Sequence, residues 1–148
     1  MKTKKYRLEE DEIPIREGVF LFPRNEDDSP HLVGSRCRSC GDVVFPKRHL
    51  CTVCDCRERM EEMLLGEKGT LNTYTVVRVG YPHFDLPYIL GLVDLPEGKD
   101  LQVLAQIEDC DPPALRIGMP LELTLGKIKT DPRTGKRVIG YKYRPAGT

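Results

Sequence analysis

The sequence predicts a mainly β protein in which a small four-cysteine ribbon precedes a five-stranded barrel of the OB type. Two observations carry this. Cys37, Cys40, Cys51 and Cys54 form two Cys-x-x-Cys turns with ten residues between them. From Lys68 onward, five short segments rich in Thr, Val, Ile, Leu and Tyr alternate with turns built from Pro, Gly and Asp, the pattern of a small closed barrel. The organisation is therefore an N-terminal extension over 1–30, a ribbon with its connector over 31–66, and a barrel over 67–148.

The extension is mostly charged. Its apolar island Val19-Phe20-Leu21-Phe22 ends at Pro23 and predicts a short strand. Arg24 to Pro30 reads as an exposed turn. His31 to Arg36 leads into the first cysteine pair, and Val43 to Phe45 predicts a short strand stopped by Pro46, on a hairpin whose own small core cannot fully cover Val43, Val44 and Phe45, so that these are expected to help form a partner contact. Residues 59–66 (RMEEMLLG) predict a connector of one or two helical turns. The barrel strands follow at Thr70 to Val79, Tyr88 to Leu95, Leu101 to Ile107, Leu121 to Lys129 and Arg137 to Tyr143. A helical turn is expected near Pro113 to Arg116, and a tight turn at Asp131 to Lys136. Gly91 and Gly126, inside strands, predict bulges or sharp bends.

The chain has 148 residues, enough for one domain or two small ones. As one body it would bury roughly 70% of its unfolded surface. Two half-sized pieces would bury less, and the smaller would need a staple. The 23 basic and 23 acidic side chains cancel. Proteins that grip phosphate backbones depend on a cationic surface, so neither nucleic acid nor membrane is the expected partner. The basic start MKTKK is followed by charged rather than apolar residues. No signal peptide or membrane span is therefore expected, and the expected location is the cytoplasm.

In a reducing compartment six cysteines favour metal over disulfides. Each Cys-x-x-Cys turn can supply one edge of a tetrahedron of soft donors, and ten residues allow the hairpin that brings the second edge back. Gly41, directly after Cys40, suits a backbone with positive φ that aims amides at sulfur. The predicted ligands are Cys37, Cys40, Cys51 and Cys54, holding zinc. Cys56 could substitute for one of them, and iron would use the same thiolates. The motif contains no His or carboxylate to activate a water, so the predicted site is closed and structural. It would hold together a segment too small to bury its own core.

No catalytic residue is expected. His31, His49 and His83 lie in no metal or triad motif, and no phosphate loop or nucleophile elbow is present. Cys110 stands between two aspartates, which raise a thiol pKa. The loop Gly80 to Tyr88 (GYPHFDLPY) is unusually apolar for a loop. Tyr81, His83, Phe84 and Leu86 either fold back over the barrel end or contact a partner.

The motifs have a family look. Gly34-Ser35-Arg36-Cys37-x-x-Cys40-Gly41, Phe45-Pro46-x-Arg48 and Cys51-x-x-Cys54 resemble the rubredoxin-like zinc ribbon of a family long described as a domain of unknown function. Lys68 to Leu71 with Tyr74 to Val77, Gly91 to Leu95 with Glu97-Gly98, Leu115 to Leu123, and Tyr143-Arg144-Pro145 resemble its OB domain. The resemblance spans residues 31–145. It implies a non-catalytic accessory subunit of a thiolase-type acyl-CoA enzyme, working in a hetero-oligomer. The Val19 to Pro23 segment resembles that of the small zinc-finger subunits of benzoylsuccinyl-CoA thiolases. With such a partner, Arg36, Arg38, Lys47 and Arg48 would meet either acidic partner residues or the phosphates of coenzyme A. The competing reading is a nucleic-acid binder, since OB barrels and zinc ribbons also do that work. It would need Tyr74, Tyr141 and Tyr143 on one basic barrel face.

Overall fold

A computed structural model describes residues 5–146. Five strands close the barrel: β6 (Lys68–Val77), β7 (Tyr88–Asp94), β8 (Gln102–Ile107), β9 (Pro120–Thr130) and β10 (Arg137–Pro145). They follow β1 (Glu12–Pro14), β2 (Phe20–Leu21), β3 (His31–Cys37), β4 (Val43–Val44) and β5 (Met60–Leu65). β6, β7 and β8 form an antiparallel meander. β8 lies parallel to β10, β10 pairs antiparallel with β9, and β9 returns to β6, which closes the ring. This is the expected OB architecture. Alternate residues point inward, as a closed sheet requires. On β7 the inward set is Ile89, Gly91 and Val93.

Gly91 and Gly126 are not bulges. The β7–β8 and β9–β10 ladders run through them in register, and the two shifts fall at Leu71/Thr73 and Val138/Ile139. Gly91 is needed for space: a Cβ there would lie 2.9 Å from Ile107 and 3.2 Å from Leu71. The helical turn is a single 3-10 turn at Pro112–Ala114. The Asp131 turn forms as expected, with Asp131 Oδ1 accepting from the Arg133 amide at 2.9 Å. No helix among the described residues is long and apolar enough to cross a membrane.

Three features differ from the sequence expectations. First, the connector 59–66 is not helical. Its residues Met60–Leu65 form β5, paired antiparallel with β3 along six positions from Leu32↔Leu65 to Cys37↔Met60. Met, Glu and Leu are good helix formers, but a neighbouring strand with open hydrogen-bonding groups overrides so weak a preference. Second, His31–Cys37 is itself a strand, the centre of the ribbon sheet, with β2 and β4 on one flank and β5 on the other. Third, the ribbon hairpin is covered. Val43 is 5% exposed, and a Cβ at Gly98 of the barrel would lie 3.1 Å from it. Phe45 meets Tyr141 edge-on at 5.3 Å. Val19, Phe20, Leu32, Val43 and Leu65 belong to the same apolar cluster as the barrel interior, so ribbon and barrel share one core.

The N-terminal extension also supplies a strand to the barrel sheet. β1 runs parallel to β10, and the Ile15 amide donates to Ile139 O at 2.7 Å. Arg137 on β10 reaches Glu9 (3.1 Å), Asp11 (3.0 Å) and Glu12 (3.4 Å), while Lys5 pairs with Glu12 at 2.6 Å. The hydrogen bond from Arg137 holds the Asp11 carboxyl below its ordinary value. Burial pushes Glu12 up, but Lys5, the Glu9 amide and the charge of Arg137 together bring it below its own. A depressed carboxylate adds stability that is complete above its unfolded pKa and is lost as pH falls through the folded one. The β1 contact should therefore loosen as pH drops below the ordinary values of 4.5 and 3.8. Hydrogen exchange at the Ile15 amide, corrected for intrinsic rates, should show falling protection between neutral pH and about pH 3, and Arg137→Gln should flatten the change. Constant protection in the wild type would refute this latch.

Candidate metal centre and its surroundings

The two cysteine turns are built alike. In the first, the Cys37 amide donates to Asp42 O at 2.8 Å and the Gly41 amide to Cys37 O at 2.8 Å. In the second, the Cys51 amide donates to Cys56 O at 2.9 Å and the Asp55 amide to Cys51 O at 3.0 Å. Both turns need a left-handed residue just after the second cysteine. Gly41 supplies it with φ +81°, and Asp55 with φ +60°; aspartate tolerates that region better than most residues. The first was legible from the glycine. The second is carried by an aspartate, which gives no comparable signal.

These turns face each other. Cys37 Sγ lies 3.6 Å from Cys54 Sγ, Cys40 Sγ lies 3.5 Å from Cys51 Sγ, and all four sulfurs fall within 4.8 Å of one another. A tetrahedron with Zn–S bonds of about 2.3 Å has S–S edges of about 3.8 Å, so the four fit one zinc ion. Cys37 and Cys51 are buried against the sheet, and Cys40 and Cys54 face outward. The Cys40 amide, above all, lowers the Cys37 thiol to about 6. The Cys56 amide pulls Cys54 down, but desolvation and the neighbouring sulfurs outweigh it and drive that thiol up to about 12. Four thiolates so close repel one another unless a cation sits among them, and a divalent ion relieves that repulsion. Cys56 does not join the cluster; its carbonyl holds the second turn.

The expected contact residues divide. Arg36 and Arg38 both reach Glu61, at 3.6 and 3.9 Å, and Lys47 pairs with Glu62 at 3.3 Å. Arg48 makes no ion pair among the described residues; its amide donates to Ser35 Oγ at 2.8 Å. In the loop, Phe84 folds back and stacks on Tyr88 at 5.4 Å, with Lys129 Nζ 5.7 Å from its ring centre. Tyr81 stays 76% exposed, and His83 and Leu86 also face solvent. His83 O accepts from the Thr130 amide at 2.9 Å, which fixes the loop to β9. The nucleic-acid reading loses one of its three rings, because Tyr143 is fully buried. Cys110 donates to Asp111 O at 3.4 Å, and burial followed by the Asp111 charge pushes its thiol up.

Comparison with known proteins agrees with this architecture. The family model described as "ChsH2, rubredoxin-like zinc ribbon domain" matches residues 18–58, and "ChsH2, C-terminal OB-fold domain" matches residues 63–126. The four-cysteine cluster lies within the ribbon match and is suited to hold zinc. The chain is 39% identical over 116 residues to a DUF35 domain-containing scaffold protein of Methanocaldococcus jannaschii, covering 77% of this chain and 81% of that one. It is 32% identical over 144 residues to the benzoylsuccinyl-CoA thiolase subunit BbsA of Geobacter metallireducens, covering 97% and 94%. Among solved structures, the Ltp2-ChsH2(DUF35) aldolase aligns with a TM-score of 0.60 at 26% identity, covering 79% of this chain and 86% of that one. With a zinc-ribbon match followed by an OB-fold match and 39% identity to a DUF35 scaffold protein over most of both chains, the chain belongs to the DUF35 family of zinc-ribbon/OB-fold proteins.

Proposed function

We propose that this chain is a non-catalytic accessory subunit that supports a thiolase-type acyl-CoA enzyme, most specifically a benzoylsuccinyl-CoA thiolase. The observation that carries the reading is its similarity, along nearly the whole of both chains, to a protein named as a subunit of that thiolase. The geometry supports it. The zinc site is closed by four cysteines, which leaves no open position for substrate. The Cys110 thiol, raised by burial and by Asp111, is a poor nucleophile at neutral pH. The proposed zinc ligands are Cys37, Cys40, Cys51 and Cys54. Contact with coenzyme A phosphates would fall first to Arg48, and then to Arg36, Arg38 and Lys47, whose exposed pairs with Glu61 and Glu62 are weak enough to exchange.

The test has two arms. Affinity purification of the tagged chain from its native host should recover a thiolase-type subunit, and recombining the two should raise thiolase activity above that of the large subunit alone. The purified chain by itself should neither cleave nor condense acyl-CoA. Turnover by the isolated chain that disappears in Cys110→Ala would sink the non-catalytic reading.

A further inference from the structure

β8 and β10 share only the registers Gln106↔Lys142 and Ile107↔Tyr143. Beside this short seam the barrel wall opens into an apolar groove of about 280 Å³. Leu90 and Leu104 line it from the meander, Phe84 and Tyr88 from the apolar loop, Tyr141 from β10 and Ile15 from the N-terminal segment. Leu104 is 59% exposed and Ile15 41%. Residues alternating outward on a barrel are ordinarily polar; here they form a connected apolar lining, and such surfaces mark contacts.

Two cations stand beside the groove. Lys129 lies over Phe84, and the charge of Arg16 reaches Tyr141. Neither makes an ion pair among the described residues, although Lys129 influences Asp131 from beyond that distance. Glu17 follows Arg16 without pairing with it. The acidic residue of the loop, Asp85, is taken by Lys127 at 3.2 Å. The groove therefore offers apolar walls with two available cations beside them.

We propose that this groove is the docking site for an acidic, apolar segment of the thiolase-type partner. An aliphatic or aromatic side chain of that segment fills the space between Leu104, Tyr88 and Tyr141, and carboxylates flanking it meet Lys129 and Arg16. This rests on the accessory-subunit reading above. A peptide fits better than single-stranded nucleic acid. Phe84, Tyr88 and Tyr141 give the groove rings on which a base could stack, but Phe84 is already stacked on Tyr88 and two cations are few for tracking a phosphate backbone.

The experiment titrates the purified thiolase-type subunit with wild type, Leu104→Lys, Lys129→Glu and, outside the groove, Ile117→Lys. Retained zinc and an unchanged melting temperature establish that each variant is folded. The two groove variants should each raise Kd by about tenfold or more, and Ile117→Lys by less than about twofold. If wild type binds and both groove variants bind as tightly, the groove is overturned and the accessory reading stands. If wild type binds no thiolase-type subunit, both are overturned. If the groove variants lose only binding of an oligonucleotide, or only self-association, with partner Kd unchanged, the occupant is that ligand or a second copy and the proposal fails.

Discussion

Replacing Cys37 by Ser should release zinc and unfold the ribbon, and the damage should spread into the barrel. Cys37 is the last residue of β3 and one of the two buried members of the proposed ligand set. Its serine variant would remove a thiolate from a set in which every sulfur lies within 4.8 Å of the others. Structural zinc in small fingers contributes on the order of 10–16 kcal/mol, whereas a whole domain is stable by roughly 5–15 kcal/mol. Even a partial loss is large on that scale. The ribbon cannot fail quietly, because Val43 and Phe45, on and beside the hairpin between the two cysteine turns, pack against the barrel. Metal analysis should fall from one zinc per chain to nearly none, and thermal melting should shift down strongly. Cys56→Ser should keep its zinc, since only the backbone of Cys56, its carbonyl toward Cys51 and its amide toward Cys54, serves the site. The opposite pattern, zinc lost in Cys56→Ser and kept in Cys37→Ser, would replace the ligand set.

The barrel and the metal turns could be read from sequence because their signals are local. Paired cysteines at fixed spacing and β-rich segments between Pro and Gly turns need no knowledge of distant residues. What escaped the reading depends on partners far along the chain. β5 is the instructive case. MEEMLL has the composition of a helix, and only β3 beside it makes it a strand. Missing that strand concealed a second fact. Glu61 and Glu62 sit opposite Arg36 and Ser35 in the β3–β5 ladder, which is where they meet Arg36, Arg38 and Lys47. A ribbon that looked ringed with free positive charge is half neutralised by its own neighbour, two carboxylates facing four cations. β1 was hidden for the same reason, since its partner β10 lies more than a hundred residues away and pairs through Arg137.

The exposed look of Val43, Val44 and Phe45 came from treating the ribbon as a separate body. A hairpin of this size cannot cover three large apolar groups by itself, so an outside surface had to take them. For Val43 and Phe45 that surface lies within the same chain. That removes Val43 and Phe45 from the apolar area open to a partner, while Leu104 and Tyr81 of the barrel remain exposed. It also makes the zinc site matter to the barrel, because the staple that orders the hairpin also orders what the hairpin covers.

Leu65→Ala should therefore destabilise ribbon and barrel together, by about 2–5 kcal/mol. Leu65 is fully buried and stands opposite Leu32, itself fully buried, in the β3–β5 ladder. It packs over Gly34, where an added Cβ would lie 3.4 Å from its Cδ1. The next residue, Gly66, donates its amide to Glu97 Oε2 of the β7–β8 turn at 2.8 Å. Leu65 thus sits where the chain passes from one unit to the other, inside the cluster they share. Removing its branched end leaves a cavity that neither a paired strand nor a closed barrel can easily collapse to fill. Two probes separate the halves. Release of zinc to a chromogenic chelator reports the ribbon, and tyrosine fluorescence, in a chain without tryptophan, reports the barrel through buried Tyr143. With one core, both signals should move to the same lower melting temperature in Leu65→Ala. Leu32→Ala should behave alike, and the double variant should cost less than the sum because the two side chains share one contact. If zinc were released well below the barrel transition in the wild type, or if Leu65→Ala shifted one signal and left the other in place, the two units would be stabilised independently and the shared core would carry no thermodynamic coupling.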